Sequence, residues 1–488
     1  MKCIHEFVDA EKSLQSIITD GGTTCCYQDI PIVFESIKQY LASQGVGRGD
    51  CLAVELENSV NAAILLLFLL ENGYSFLALP KTPPVAAKDE EVLSYPAFCK
   101  YRIIPEVNPN EQKKLFNAES WLQVFPNKTW NGNPLCPGFL EKLLLKTSGS
   151  TGAPKMAVIP HAGLRGNAQN TMDRLKITHE DRVALPVPIF HSFGLTTAFL
   201  SCVAAGASVD LQKGANLLRY FQREREFDPN VAFTTPVFCE TLVKGRRSNR
   251  LYRLTVAAGD RFRGETFLRY EERCGCLVNL YGSTEFGAIA AASPDDPADV
   301  RSQCAGKPMS GIEVRILERT PESMDELKGL GEIWCRSPYR FDKYVDNQGE
   351  DVHTDQIGPD GWFCTKDLGR IRPDGSIEVF GRSDHSVNRD GLLVFFADVE
   401  KKIGSISGVE SVVVVSIGVT NRGKGMAAYC TLKKGLKLTP EAVRQTCFEL
   451  LPRRAVPDHI ILMDTLPLMP NGKIDRMKLT RMAESEKI

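Results

Sequence analysis

Along roughly the first 290 residues, apolar and polar positions follow two periods, one typical of helices and one of short buried strands. Helical patterns occur at 33–41 and 61–70, and short apolar or β-branched runs occur at 51–54, 181–186 and 254–257. Strands and helices that alternate in this way are typical of parallel sheets with helical crossovers. We therefore predict an α/β architecture for this part of the chain.

The pattern changes between about residue 306 and residue 381, where short strands are separated by Gly, Pro and Asp turns. The predicted strands are 311–317, 331–335, 361–365, 369–372 and 376–380. Pro373-Asp374-Gly375 is a strong turn signal between the last two of them. We expect a small, mainly antiparallel β unit here.

From residue 383 onward the pattern is that of a compact α+β domain. Runs 409–417 and 426–433 have the composition of strands. Thr439 and Pro440 are a favourable N-cap and first position for a helix that continues to Leu451, where Pro452 stops it. A smaller α+β domain is therefore predicted over 383–488.

The most apolar segment of the chain, 62–70, is followed at once by Glu71, Asn72 and Gly73. It is too short for a bilayer, which takes about 20 residues to cross as a helix. Gly73 is typical of a helix C-terminus, and 74–79 has the pattern of a strand. We predict a core helix that leads into a buried strand, and no insertion into a membrane.

Charge and cysteine content exclude further classes. The 488 residues carry a formal net charge of −1, so no global field attracts nucleic acid. The fifteen cysteines are scattered and form no CxxC pair, which is typical of reduced thiols rather than a zinc site. The N-terminus has no apolar stretch behind a basic start, so no signal peptide is indicated. A cytoplasmic protein is predicted.

Candidate chemistry begins at the segment 147–155, called the phosphate loop below, which follows the apolar run 143–145. Glycines allow close approach of an anion, and hydroxyls, amides and a lysine can bind phosphate oxygens. Pro154 precedes Lys155, so the segment is not a Walker loop. A Ser/Gly-rich surface turn is the structural alternative. The predicted phosphate ligands are Thr147, Ser148, Gly149, Ser150, Thr151, Gly152 and Lys155.

Four further segments carry suitable groups. Tyr281, Thr284 and Glu285 offer a ring for a base, a hydroxyl for a phosphate and a carboxylate for Mg²⁺ within five residues. The other three groups are Asp367 at a strand end, Arg382, and Lys473 on an Asn-Gly turn. Taken singly, each has a structural alternative: a core tyrosine, turn aspartates or a solvated lysine.

Taken together and in this order, the five segments resemble the adenylate-forming superfamily of acyl- and aryl-CoA synthetases, adenylation domains and luciferases. The resemblance implies an N-terminal domain over 1–382, with two sheet-and-helix subdomains and a small β-barrel at about 306–381. It also implies a smaller, mobile α+β lid over 383–488, hinged near Asp384.

The reaction that the resemblance implies is activation of a carboxylic acid by ATP to acyl-AMP and pyrophosphate. The acyl group then passes to a thiol, either coenzyme A or the phosphopantetheine of an acyl or peptidyl carrier protein. Lys473 is the implied catalytic cation, with Thr284 at the α-phosphate and Glu285 at Mg²⁺. Gly259 and Tyr281 are assigned to adenine, and Asp367 and Arg382 to the ribose.

The segment 188–195 resembles the histidine-containing segment of acyl- and aryl-acid ligases and lacks the aspartate with which amino-acid-activating domains pair a substrate ammonium. It favours a fatty or aryl acid, with His191 and Asn279 as substrate contacts. Three alternatives stay open: a free-standing amino-acid adenylation enzyme, luciferase-like oxidation, and a silent homologue that only binds nucleotide or a carrier protein. His191 can also be a structural histidine.

The chain departs from the family pattern at three positions. Lys366 stands where glycine is usual before the ribose-binding aspartate, His385 follows the hinge where an acid is common, and Phe396 replaces a frequent proline. Adenylation remains the expected chemistry, and the identity of the thiol acceptor stays open.

Overall fold

In the computed structural model of this chain, contacts divide the protein into two compact units, each described here by itself. The first unit comprises 1–315, 334–363 and 371–378, and the second comprises 316–333, 364–370 and 379–488. The structure describes residues 14–81, 95–106, 112–132, 139–147, 155–212, 216–260, 262, 264–318, 329–358, 360–389, 392–420, 423–436, 438–467 and 474–485, apart from the side chains at 384, 388, 392, 393, 419 and 423. The predicted domain boundary at 382/383 stays a prediction.

The α-helices are α1 Ile30–Ser43, α2 Val60–Glu71, α3 His161–Leu175, α4 Leu200–Ala204, α5 Leu217–Phe227, α6 Pro236–Gly245, α7 Gly264–Cys274, α8 Ala298–Arg301, α9 Phe396–Gly404, α10 Pro440–Leu450 and α11 Arg476–Ser485. A π-helical segment, Phe193–Phe199, leads directly into α4. Short 3₁₀ segments are Tyr27–Asp29, Gln112–Phe116, Ala118–Ser120, Ser383–His385 and Arg453–Ala455.

The first thirteen strands are β1 Ile17–Thr19, β2 Thr24–Cys26, β3 Cys51–Leu56, β4 Ser75–Pro80, β5 Tyr101–Pro105, β6 Leu122–Pro126, β7 Lys142–Thr147, β8 Lys155–Pro160, β9 Arg182–Leu185, β10 Ser208–Leu211, β11 Val231–Thr234, β12 Tyr252–Ala258 and β13 Gly275–Ser283. The others are β14 Gly287–Ala291, β15 Lys307–Pro308, β16 Glu313–Glu318, β17 Gly331–Arg336, β18 Lys343–Val345, β19 Asp351–Val352, β20 Phe363–Ile371, β21 Ile377–Arg382, β22 Ser386–Arg389, β23 Leu392–Phe395, β24 Val409–Thr420, β25 Gly423–Leu432 and β26 His459–Leu462.

Two large sheets organise the first unit, as the alternating pattern predicts. One has nine strands in the order β15-β14-β13-β12-β11-β9-β10-β1-β2, with parallel pairing from β13 through to β1. The other has eight strands in the order β19-β18-β8-β7-β4-β3-β5-β6, with parallel pairing from β7 to β5. Because parallel strands need crossovers, helices lie between them along the chain, and α5, α6 and α7 bury their apolar faces in one core cluster.

The apolar segment 62–70 lies in α2, whose residues from Val60 to Leu70 are all buried. The side chain of Ser59 caps this helix by accepting a hydrogen bond from the amide of Ala62. The predicted core helix and the following strand are confirmed. Among the described residues, no helix combines the length and the apolar character that crossing a bilayer needs.

Strands of the block 306–381 are shared among three sheets. β15 joins the nine-stranded sheet, β18 and β19 join the eight-stranded sheet, and the rest form a four-stranded sheet in the order β16-β17-β20-β21. The turn at 373–375 is confirmed, because Gly375 has φ of 81° and the Asp374 carboxylate accepts from the amide of Ser376 at 3.0 Å.

The prediction of two strands at 361–365 and 369–372 is wrong. A single strand, β20, runs from Phe363 to Ile371. Gly369 continues the strand, and the backbone irregularity falls at Lys366, which has φ of 61°. Glycine was a misleading signal here because its conformational freedom permits extended backbone as readily as a turn.

The second unit contains a five-stranded sheet in which β23-β22-β25-β24 are neighbours and β26 pairs in parallel with β25. Apolar side chains of α9 and α10 cover one face of it, and α11 covers the other. The predicted start of α10 is confirmed, since the Thr439 hydroxyl accepts from the amide of Ala442 at 3.2 Å.

Candidate active site

The phosphate loop begins and ends on adjacent antiparallel strands. Thr147 closes β7 and is paired with Lys155, which opens β8, and the Thr147 hydroxyl donates to the Lys155 carbonyl at 3.3 Å. The predicted buried strand at 143–145 is the centre of β7. The chain therefore reverses direction between these two residues. The predicted ligands Ser148, Gly149, Ser150, Thr151 and Gly152 lie outside the described residues.

Gly259 follows the carboxyl end of β12, and Asn279 and Tyr281 lie beside that end on the neighbouring parallel strand β13. Ala257 and Ala258 of β12 are paired with Asn279 and Leu280 of β13, so Gly259 and Tyr281 follow side by side. Gly259 has φ of 96°, and a β-carbon built there would meet no atom within 4 Å. Carboxyl ends of parallel strands are where open α/β sheets bind ligands. The structure thus brings these three residues together at the edge of the nine-stranded sheet where a ligand can bind.

Thr284 and Glu285 lie on the turn between β13 and β14, and Asn167 of α3 holds that turn. The Asn167 amide nitrogen donates to the carbonyls of Phe286 at 3.0 Å and Ala288 at 3.3 Å, and its oxygen accepts from the amide of Ala288 at 3.2 Å. Asn167 is 2% exposed. A buried, fully used amide of this kind fixes the turn that presents the two candidate ligands.

Tyr344 of β18 connects Glu285 with Lys155. Its hydroxyl donates to Oε1 of Glu285 at 2.5 Å, and Nζ of Lys155 lies 3.6 Å from the centre of its ring. The candidate metal ligand Glu285 and the candidate phosphate ligand Lys155 therefore contact the same side chain, that of Tyr344. Tyr344 and Asn167 were not predicted from the sequence, because both lie outside the recognised segments. The only sequence signal for Tyr344 was an aromatic residue in a short run before a turn.

Asp367 and Arg382, both in the second unit, lie on the neighbouring strands β20 and β21. Nε of Arg382 is 4.0 Å from Oδ1 of Asp367, and the guanidinium donates to the carbonyl of Thr365 at 3.3 Å. The backbone of Asp384 lies in the 3₁₀ segment Ser383–His385 that follows at once. The structure thus pairs the two predicted ribose ligands, whereas Lys473 lies outside the described residues.

Comparison with known proteins identifies the family to which the chain belongs. The profile of the family described as AMP-binding enzyme matches residues 143–345, and that of the AMP-binding enzyme C-terminal domain matches residues 398–473. Together the two matches span more than half of the chain. The chain belongs to the adenylate-forming, AMP-binding enzyme family.

Among curated relatives of this family member, the human mitochondrial medium-chain acyl-CoA ligase ACSF2 is 26% identical over 357 residues. The match covers 69% of this chain and 57% of the relative, so the chain spans little more than half of that protein's length.

Two solved structures of similar proteins share the fold over nearly their whole length. ATP-bound MatB from Rhodopseudomonas palustris has a TM-score of 0.76 at 21% identity, with 98% of this chain and 97% of that one covered. The o-succinylbenzoate CoA synthetase MenE from Bacillus subtilis, in complex with its acyl-adenylate intermediate, has a TM-score of 0.77 at 21% identity, with 96% of each chain covered. The predicted α/β fold, with a large N-terminal and a smaller C-terminal domain, is confirmed.

In this family member, His191 lies on a tightly built segment that joins β9 to the π-helical segment Phe193–Phe199. Asn58 holds the segment, since its side chain donates to Leu185 and Val187 carbonyls at 3.0 and 2.9 Å and accepts from the amide of Ile189 at 3.0 Å. The imidazole is exposed and lies 4.6 Å from the ring of Phe190.

The neighbouring residues bring this segment close to the candidate ligands. The hydroxyl of Ser192 donates to the carbonyl of Ser283 at 3.5 Å, immediately before Thr284. Gly194 cannot carry a side chain, because a β-carbon there would come 2.0 Å from the carbonyl oxygen of Pro188. Single π-helical turns inside helices are frequent at functional sites.

The donor set in the first unit fits a magnesium–nucleotide. Tyr344 contacts the Lys155 ammonium and the Glu285 carboxylate, while the Thr147 hydroxyl is on the residue paired with Lys155 and the Thr284 hydroxyl is on the residue before Glu285. Mg²⁺ in nucleotide sites is held by one or two carboxylates together with phosphate oxygens and water. The Glu285 carboxylate, held by Tyr344 beside the candidate phosphate ligand Lys155, therefore matches what Mg²⁺ needs from the protein.

Proposed function

We propose that this protein activates a carboxylic acid with ATP, forming acyl-AMP and pyrophosphate, and then transfers the acyl group to a thiol. The observation that carries this proposal is the Lys155–Tyr344–Glu285 arrangement beside the phosphate-loop strands, in a chain of the AMP-binding enzyme family. It joins a phosphate-binding cation and a metal-binding carboxylate in one rigid group, which is what an ATP site of this kind needs.

The first half-reaction joins two anions. A carboxylate oxygen of the acid attacks the α-phosphorus, a new P–O bond forms, and the bond between the α-phosphorus and the bridging oxygen breaks to release pyrophosphate. Positive charge must lie where negative charge accumulates. Opposite charges about 4 Å apart attract by roughly 4 kcal/mol at an effective dielectric constant near 20. We assign Lys473 to the carboxylate and α-phosphate for this reason.

The other groups hold the nucleotide. In our proposal Thr147 and Lys155 bind the β- and γ-phosphates together with the rest of the phosphate loop, Thr284 binds the α-phosphate, and Glu285 binds Mg²⁺. Adenine lies against Tyr281 and Gly259, and the ribose hydroxyls bind Asp367 beside Arg382. In the second half-reaction the thiol attacks the acyl carbon and AMP leaves.

For the acid we propose a fatty or aryl acid without an α-amino group. The segment 188–195 carries no aspartate that could pair with a substrate ammonium. The ring of Phe193 in this segment lies 6.2 Å from the ring of Phe233, which makes the surroundings of the segment apolar. His191 and Asn279 are the polar groups that we assign to the acid. The names of the relatives support this class, since ACSF2 is named a medium-chain acyl-CoA ligase and MenE an o-succinylbenzoate CoA synthetase.

The test is pyrophosphate release with ATP and Mg²⁺, measured over a panel of fatty, aryl and amino acids. Release that depends on a fatty or aryl acid supports the proposal, and release with amino acids alone would show an amino-acid adenylation enzyme. Absence of release with every acid would show a silent homologue. For active acids, thioester formation is then compared between coenzyme A and a phosphopantetheinylated carrier protein, and Glu285→Gln is the inactive control.

A further inference from the structure

Tyr344 makes its two contacts because of its register in the eight-stranded sheet. It is paired with Ala157 across the β18–β8 ladder, and Lys155 lies two residues from Ala157 on the same face. Diagonal neighbours across antiparallel strands are within reach of aromatic and long side chains. The Lys155 ammonium therefore lies over the ring of Tyr344, which is itself only 2% exposed.

Phe341 fixes the same segment against Glu285 from the backbone side. Its amide donates to the carbonyl of Glu285 at 2.7 Å, and its ring lies 4.7 Å from that of Tyr344 and 5.5 Å from that of Phe363. The segment 341–344 thus holds Glu285 twice, through its carbonyl by Phe341 and through its carboxylate by Tyr344. A carboxylate held in this way has little freedom to rotate.

We propose that Tyr344 is a positioning residue of the nucleotide site, which sets the carboxylate of Glu285 for Mg²⁺ and the ammonium of Lys155 for phosphate. The inference rests on the proposed function. The hydroxyl leaves the second carboxylate oxygen for the metal, and the ring face attracts the ammonium through its negative quadrupole. Hydrogen bonds to charged groups are about twice as strong as neutral ones. Because the hydroxyl contacts the proposed metal ligand Glu285, its loss should mainly weaken the binding of Mg²⁺.

Two substitutions in the full chain separate the two contacts. Tyr344→Phe removes the hydroxyl and keeps the ring, and Tyr344→Leu removes both. Binding of a nonhydrolysable ATP analogue is measured by calorimetry in EDTA and over a Mg²⁺ titration. For Tyr344→Phe we expect unchanged binding in EDTA and a Mg²⁺ requirement raised by about tenfold. For Tyr344→Leu we expect an additional loss of about threefold in EDTA.

Tyr101→Phe is the matched control, because Tyr101 lies in β5 of the same eight-stranded sheet and its hydroxyl donates to the carbonyl of Gly45 at 3.2 Å rather than to a candidate ligand. It should leave both binding measurements at wild-type values. Thermal unfolding of each variant shows whether it folds, and Tyr344→Phe, which preserves the buried ring, keeps the test meaningful if Tyr344→Leu does not.

The possible results distinguish the inference from the function on which it rests. A wild-type Mg²⁺ requirement in Tyr344→Phe, or an equal loss with and without Mg²⁺, would overturn the positioning role while acid-dependent pyrophosphate release by the wild type stands. A wild type that binds no nucleotide under either condition would overturn the proposed function itself, and the inference with it.

Discussion

Lys366 adopts a left-handed backbone conformation, with φ of 61°, immediately before Asp367 in β20. This is the position at which the chain departs from the glycine usual in its family. Left-handed backbone is costly for residues with a β-carbon and free of that cost for glycine. The family pattern is thus explained by the backbone, and this chain carries local strain next to a candidate ribose ligand.

Replacing this lysine by glycine should therefore stabilise the protein. For Lys366→Gly we expect a gain of about 0.5–1 kcal/mol, after the larger chain entropy of glycine in the unfolded state is taken into account. Urea denaturation measures it, with Lys366→Ala as the control, since alanine keeps the β-carbon. Equal stabilisation by alanine would show that the side chain of Lys366, and not its backbone, is unfavourable.

Arg389 in the second unit is fully buried and should be essential for its stability. Its guanidinium donates to the carbonyl of Val456 at 3.0 Å and to the carboxylate of Asp458 at 2.7 Å, and that carboxylate also accepts from the amide of Met426 at 2.8 Å. Arg389→Ala leaves the carboxylate without its cation, which should cost about 3 kcal/mol.

The exposed pair of Arg336 with Glu313 gives the comparison. The two side chains are 44% and 57% exposed, and Nη2 of Arg336 lies 2.7 Å from Oε2 of Glu313. Because water screens such pairs, Arg336→Ala should lose much less stability than Arg389→Ala in the same urea experiment. Similar losses in the two variants would contradict the role of burial.

His161 should make stability depend on pH. Burial lowers the pKa of this imidazole to about 3, whereas an exposed histidine titrates near 6.5. As pH falls below 6.5, the unfolded chain takes up a proton that the folded chain does not, so stability is lost on acidification from about pH 6.5 toward pH 3. The slope from this group approaches about 1.4 kcal/mol per pH unit.

The check compares urea denaturation of the wild type and His161→Gln between pH 7 and pH 5. The wild type should lose more stability over this interval than the variant, by about 1–2 kcal/mol. Parallel pH profiles would show that the imidazole stays protonated, or titrates normally, in the folded protein. His161 opens α3, where the helix dipole also disfavours a cation.

Lys473 should be needed for one half-reaction only. Lys473→Ala is expected to lower adenylate formation by at least about a hundredfold, in line with the loss of a single charge-stabilising donor. Thioester formation from supplied acyl-AMP should remain close to the wild-type rate. Exposed Lys478 in α11 provides the control, since Lys478→Ala should change neither rate. Equal loss of both half-reactions in Lys473→Ala would contradict the division of labour.

Much of the fold follows from local patterns in the sequence. The buried helix α2, the cap at Thr439 and the turn at 373–375 all depend on contacts within a few residues, and each was predictable. The distribution of β15, β18 and β19 among the large sheets depends on pairing between distant strands, which periodicity does not reveal. The left-handed backbone of Lys366 was not predictable either, since no neighbouring residue marks a lysine as left-handed.

The candidate site was predictable where a motif carries it and not where a neighbour supports it. Gly259 with Tyr281, and Asp367 with Arg382, lie close together because adjacent strands end or pass side by side. Tyr344 and Asn167 escaped prediction because their importance comes from a strand register and from a helix packed on a turn. Both relations join distant segments: Tyr344 is 59 positions from Glu285, and Asn167 is 119 positions from Phe286.

The central claim, attack by a carboxylate on the α-phosphate, is tested most directly by isotope transfer. An active acid with both carboxyl oxygens labelled with ¹⁸O is converted to its thioester with ATP, and the AMP is analysed by mass spectrometry. Our account predicts one ¹⁸O in each AMP. When the thiol attacks the acyl carbon, the bond between that carbon and the attacking oxygen breaks, and the oxygen leaves on the phosphorus of AMP. Unlabelled AMP, or label in pyrophosphate or inorganic phosphate, would contradict it.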